Sequence, residues 1–229
     1  LAHVENLRSI FQNIYYVLKK NGYFCFEVGY FKEVLKNNYF DTIYHEHLDY
    51  HHANPLVNFL INLGFSIVDI KIVKIQGGSL RILCKKDDSK KISKKAYLFL
   101  KSEKKTIIYK KKFIQNWEKK IKNIMKDTRK KIIKVTSNAN IFGYGSPTKI
   151  ILFLKLLKLP KNKIKYIFED NKLKQNKYIP VYGNKIVCTS KIKKLNPKYL
   201  LIFAWNFKDD IKKKFYKINN KIKLLVPLP

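Results

Sequence analysis

The chain has 229 residues, 46% of them hydrophobic and with 15 Tyr and 15 Phe, enough apolar material for one large or two ordinary globular domains. No run reaches the roughly 18 to 20 consecutive apolar residues that a bilayer span needs, and no charged-then-apolar leader opens the sequence, so a cytoplasmic protein with no membrane partner is expected. The net charge of +33 raises nucleic acid as a partner, but only Arg8, Arg81 and Arg129 of the 49 basic residues are arginine and lysine is spread along most of the chain; phosphate and base recognition favours arginine and a localised patch, so no specific nucleic-acid site is expected.

The sequence opens at Leu1 without a methionine and enters apolar positions at helical spacing (Leu7, Ile10, Phe11, Ile14, Val17, Leu18), as a fragment cut inside a domain would. Lys19-Lys20-Asn21-Gly22 gives basic residues and a glycine stop, and Tyr23 to Val28 reads as a short, nearly all-apolar strand of the kind buried in a parallel sheet. Helix then buried strand is α/β grammar. The stretch Asp41 to His52 follows in the loop region beyond that strand, where open α/β sheets place their ligands. Asn54-Pro55 reads as an N-cap and a first-turn proline, opening a helix through Leu63 that stops at Gly64. Phe65 to Val73 and Ser79 to Lys85 are strands linked by Gly77-Gly78, a link short enough to make them an antiparallel hairpin.

Asp41-Thr42-Ile43-Tyr44-His45-Glu46-His47-Leu48-Asp49-Tyr50-His51-His52 holds four of the five histidines together with two tyrosines and three carboxylates. Histidine titrates near neutrality, so this company suits proton transfer or a metal, and a solvated polar loop is the plain alternative. Zinc spacings are missing: His45 and His47 are two apart, which is not the HExxH pattern of a helical site. Cys25, Cys84 and Cys188 are scattered, offer no CxxC pair and suit a reducing compartment. No metal is expected in this chain.

From Lys86 to about Lys112 the composition shifts to Lys, Asp and Ser, which places a domain boundary near residue 90. Phe113, Trp117, Ile121, Ile124, Ile132 and Val135 then mark one face of a long helix. Asn140 to Lys149 reads as strand, glycine turn and helix start, with Ile150 to Leu159 as the helix. Strands at Ile164 to Phe168, Tyr199 to Ala204 and Leu224 to Val226, with a helix from about Lys208, complete a small parallel sheet wrapped by helices. In the turn Gly143-Tyr144-Gly145-Ser146-Pro147-Thr148-Lys149, backbone N–H groups and a lysine could approach a phosphate, although the third glycine of a dinucleotide fingerprint is missing and a tight turn explains it as well.

Ala2-His3-Val4, Phe26-Glu27-Val28, FDTIYHEHLDY (Phe40 to Tyr50), GGSLR (Gly77 to Arg81), GYGSPTK (Gly143 to Lys149), Glu169-Asp170-Asn171 with Lys174-Gln175, and Ala204-Trp205-Asn206-Phe207 stand in the order seen in nucleotide-sugar C-methyltransferases, and over its whole length the chain resembles that family. The resemblance implies the end of a class I S-adenosylmethionine (SAM) methyltransferase sheet in residues 1–89, followed by a second, smaller Rossmann-like domain in 90–229 that faces the nucleotide sugar. It implies SAM as cofactor of the full-length protein and zinc in a missing N-terminal domain; a monomer is expected. By the same resemblance His47 is the base that removes the proton beside a 4-keto group, Tyr44 and Glu46 orient it or bond the sugar, and His3 lies near the keto oxygen or enolate. Gly143, Tyr144, Gly145, Ser146, Lys149, Trp205, Asn206 and Arg81 are the implied sugar-binding residues. The family's SAM glycine loop and zinc cysteines are absent from the sequence, so the fragment alone is expected to be inactive, and a non-catalytic module for a nucleotide sugar or another anion is the second reading. His51-His52 and Pro180-Val181 depart from the family pattern.

Overall fold

A computed structural model describes residues 1–229 apart from 2, 76, 88, 107–109, 138, 161, 219–220 and 228–229, and apart from the side chain of Asn206. The chain forms two compact units, Leu1–Glu118 and Lys119–Pro229. Among the described residues no helix is long and apolar enough to cross a membrane.

The first unit begins with α1 (Leu7–Val17), whose first turn is capped by Asn6 Oδ1 accepting from the Ser9 N–H at 2.9 Å. The helix buries Phe11 and leaves Tyr16 and Val17 in solvent. Asn21 makes the left-handed turn (φ 62°) that was expected of Gly22. Then come β1 (Tyr23–Gly29), α2 (Phe31–Asn37), α3 (Ala53–Asn62), β2 (Phe65–Val73), β3 (Ser79–Lys86) and α4 (Lys94–Lys104).

The three strands lie in the order β1-β3-β2, with β3 antiparallel to both neighbours. The hairpin is as expected, but β1 is not a strand buried in a parallel sheet. The returning β3 becomes its neighbour, and its side chains alternate: Phe26 and Val28 point into the core while Tyr23 and Cys25 are exposed. The core gathers Phe11, Phe26, Tyr30, Leu60, Phe65, Ile82 and Ala96, with Phe11 edge-on to Phe26 at 5.0 Å. The lysine-rich composition that sets in near residue 90 does not end the unit, because α4 packs on β2 and α3 and buries Ala96, Leu100 and Glu103.

α5 (Lys111–Thr136) carries the chain into the second unit. Its buried face is Ile121, Met125, Ile132 and Thr136, and Val135, expected on that face, stands exposed, about a fifth of a turn from its centre. Lys122, Lys126, Lys130 and Lys134 form an exposed row at successive i, i+4 positions. There follow β4 (Ile141–Tyr144), α6 (Ile150–Leu157), β5 (Ile164–Glu169), β6 (Lys185–Cys188), α7 (Ile192–Leu195), β7 (Tyr199–Ile202), α8 (Lys208–Ile218) and β8 (Lys223–Leu225).

All five strands of this sheet are parallel, in the order β6-β5-β4-β7-β8. The first strand is central and the order reverses beside it, which is the Rossmann-like arrangement expected. In a sheet of this order the ligand crevice is expected where the chain leaves β4 and β7. The mixed α/β class of the whole chain is as expected; β6 and α7 were not, each being four residues long and too short for a periodic signal.

Candidate functional site

The histidine loop is an excursion from the first sheet. It departs at Tyr30 and returns at His51, where Tyr30 and His51 form an isolated parallel bridge and the Phe31 N–H donates to the His51 carbonyl at 3.0 Å. Between these points lie α2 and a short helical turn, Phe40–Thr42, tied by the Thr42 hydroxyl to the Tyr39 carbonyl at 2.8 Å.

A tight turn, with the His47 N–H donating to the Tyr44 carbonyl at 3.0 Å, folds the two side chains together. The His47 ring lies 4.5 Å from that of Tyr44, 5.1 Å from that of His3, which meets it edge-on, and 6.3 Å from that of Tyr50. His47 is half-buried; His45 and Glu46 are exposed. Partial burial, then the neighbouring Glu46 carboxylate, which also accepts its hydrogen bond, push the Tyr44 hydroxyl above the usual 10.0. Tyr44 therefore stays protonated at neutral pH and can donate a hydrogen bond. An imidazole walled by rings beside a phenol donor can take a proton from a carbon acid.

His51 and His52 do other work. His51 is 9% exposed, and burial outweighs Asp49 to hold its imidazole below the usual 6.5; burial likewise outweighs Glu103 at His52. Both are neutral in the fold and would take up protons more readily once unfolded. Their contribution is thus complete above pH 6.5 and falls as pH drops from there through their folded values. The urea midpoint of the first unit, followed between pH 8 and pH 5, is expected to hold down to about 6.5 and then decline; substituting His51 and His52 by Gln should flatten that limb.

The N-cap expected at Asn54 is not there either. α3 starts at Ala53, and the carboxylate of Glu103, from α4, accepts from the N–H groups of both Ala53 and Asn54 at 2.8 Å. Arg81 does not stand alone on the strand. Its Nε lies 2.6 Å and its Nη2 2.5 Å from Glu27 Oε1, directly across the β1 and β3 pair, so the FEV and GGSLR motifs meet as one cross-strand unit. Among the described residues no three His, Cys, Asp or Glu side chains gather as a metal would require.

In the second unit, Gly143 and Gly145 are there for close approach. A Cβ on Gly143 would lie 2.5 Å from Phe203 Cε2, and Gly145 has φ +84° with Ala204 Cβ 2.9 Å from where its own would be. The turn has its own acceptors: the Gly145 N–H donates to the Phe168 carbonyl at 2.8 Å, and the Ser146 N–H and hydroxyl donate to Glu169 Oε2 at 2.8 and 2.6 Å. Burial alone would raise the Glu169 carboxyl, but these donors bring it below its usual value. The amides of Gly145 and Ser146 are thus committed within the turn and are not open to a phosphate.

Lys149, just before α6, lies over the buried Trp205 ring at 4.3 Å, which holds a positive charge beside a helix N-terminus where an anion would be favoured. Tyr144 donates to Asp170 Oδ2 at 2.5 Å and accepts from Lys214 Nζ at 3.0 Å. Burial first, then the bond to Asp170, hold its hydroxyl above the usual 10.0. Asn206 lies in the short helical turn Trp205–Phe207. No local pattern in the sequence marks Glu103, the one acidic residue of the lysine-rich α4, or Lys214, one of five lysines in α8.

Residues 74–229 match the family described as the C-methyltransferase C-terminal domain. The chain is also 27% identical over 235 residues to the C-methyltransferase NovU of Streptomyces niveus, an alignment that covers 100% of the chain and 55% of that protein. The chain thus spans about half the length of the curated relative it matches.

Proposed function

Because the chain belongs to the C-methyltransferase family, we propose that in the full-length protein it serves a SAM-dependent methylation of carbon on a nucleotide-linked 4-keto sugar. The observation that carries this reading is the half-buried His47 enclosed by the rings of Tyr44, His3 and Tyr50. A ketone acidifies the hydrogen on the carbon beside it. His47 takes that proton, Tyr44 and Glu46 orient the base or bond the sugar, and His3 faces the keto oxygen as the enolate forms. Gly143, Tyr144, Gly145, Ser146, Lys149, Trp205 and Asn206, with Arg81 in the first unit, contact the nucleotide sugar. SAM supplies the methyl group that the carbanion attacks.

The glycine turn after β4 has its Gly145 and Ser146 amides bonded to Phe168 and Glu169, so it is not the turn to which we assign SAM. We therefore assign SAM, and the zinc of an N-terminal domain, to other parts of the full-length protein, which we take to be a cytoplasmic monomer.

Full-length protein given SAM with an isotopically labelled methyl group and a 4-keto nucleotide sugar is expected to move the label to ring carbon. Sugar binding without label transfer and without deuterium exchange beside the ketone would favour the non-catalytic binding module instead.

A further inference from the structure

On the reading of His47 as the base, we propose that Glu103 is the positioning residue of the histidine loop, one buried carboxylate that fastens the chain where the excursion leaves the sheet and where it returns. Glu103 is 0% exposed. Its Oε1 accepts from the Tyr30 hydroxyl at 2.7 Å and the Ala53 N–H at 2.8 Å, and its Oε2 from the Asn54 N–H at 2.8 Å and Asn54 Nδ2 at 2.7 Å. Tyr30 is the last residue before α2, and Ala53 and Asn54 are the first two of α3. Everything the loop presents, from Tyr44 through His47 to Tyr50, lies between those two fastenings.

A carboxylate in this position needs a reason. Burying a charge is costly, and a serine or aspartate at position 52 would cap α3 locally. A local cap would hold only the returning end, whereas Glu103 takes both. Four donors and the positive end of α3 keep it ionised: burial raises the carboxyl, and the bonds from Ala53, Tyr30 and Asn54 more than reverse this.

The fastening also reaches His47 through packed rings. Glu103 Oε1 lies 3.9 Å from His52 Nδ1; the His52 ring meets Phe31 at 5.6 Å, Phe31 meets Tyr50 at 5.3 Å, and Tyr50 meets His47 at 6.3 Å. A shift of the returning chain at His52 is passed along this row.

The test uses full-length protein labelled with carbon-13 at histidine Cε1, the His47 signal being assigned by its loss in His47→Asn. Glu103→Gln keeps the size but turns one acceptor oxygen into an NH₂ group facing donors. The His47 signal is expected to move or broaden, and deuterium exchange beside the ketone to slow by about 10- to 100-fold, the scale of a misplacement of about 1 Å. The KM for SAM should stay unchanged and Glu103→Asp should recover part of the loss. A folded Glu103→Gln protein with the wild-type His47 signal and exchange rate would overturn the proposal. If that variant does not fold, Tyr30→Phe removes only the departing end's bond and must still displace the His47 signal; an unmoved signal overturns the proposal equally. Displacement of the signal by Glu103→Gln in a protein whose exchange ignores His47→Asn would uphold the fastening and refute His47 as the base.

Discussion

In the full-length protein, His47→Asn is expected to lower kcat and deuterium exchange at the carbon beside the ketone by about 10²- to 10⁴-fold, the usual worth of a positioned base, with little change in sugar affinity. Asparagine keeps much of the side chain's reach and polarity, so the rings of Tyr44, His3 and Tyr50 can remain around it while the proton acceptor is lost. His45→Asn should do much less, because His45 is exposed and its ring meets Tyr44 only at 5.9 Å. Exchange separates the proton step from methyl transfer, so a defect confined to transfer would point away from base chemistry. Wild-type exchange in His47→Asn together with its loss in His45→Asn would move the base to His45.

Gly143→Ala is expected to destabilise the second unit by about 1–3 kcal/mol, the usual cost of overpacking. The new Cβ would stand 2.5 Å from Phe203 Cε2 and 3.0 Å from Ile167 Cγ1. Phe203 and Ile167 are both fully buried, and Gly143 is paired with Ile167 on one side and Leu201 on the other, so neither neighbouring strand can yield without parting the sheet beside the crevice. Thermal unfolding should register this as a fall of roughly 4–8 °C per kcal/mol if the unit melts as a small domain. Gly29→Ala is the control. No atom lies within 4 Å of the Cβ it would add, and it should change stability by no more than about 0.5 kcal/mol. Equal melting of the two variants would show that Gly143 is not held by Phe203.

What was legible in the sequence is what repeats or punctuates. The apolar period of α1 and α5, the Gly77-Gly78 link and the strand, glycine turn, helix run at residues 140–150 each carry their signal within a short window. The histidine loop was legible by composition, as were the residue types that surround His47. Partnership across distance was not. Nothing local marks Glu27 as the partner of Arg81 or Lys214 as the partner of Tyr144 and Asp170, since these contacts join residues 54, 70 and 44 positions apart. Glu103 was the hardest case, because a lysine-rich stretch reads as solvated surface until its one carboxylate is found beneath a helix end. The same holds for β1, whose apolar run looks like a buried parallel strand until β3 is placed beside it.

The row Lys122, Lys126, Lys130 and Lys134 on α5 sets like charges about 5–6 Å apart, well inside the screening distance of about 8 Å at physiological ionic strength. Each such step costs a helix about 0.2–0.5 kcal/mol when unscreened, and Glu118 and Asp127 are the only acidic residues among the twenty-six of α5. Dissolved ions are therefore expected to matter to this helix: moving from dilute buffer to ordinary salt should raise its stability by screening the repulsion between Lys126, Lys130 and Lys134.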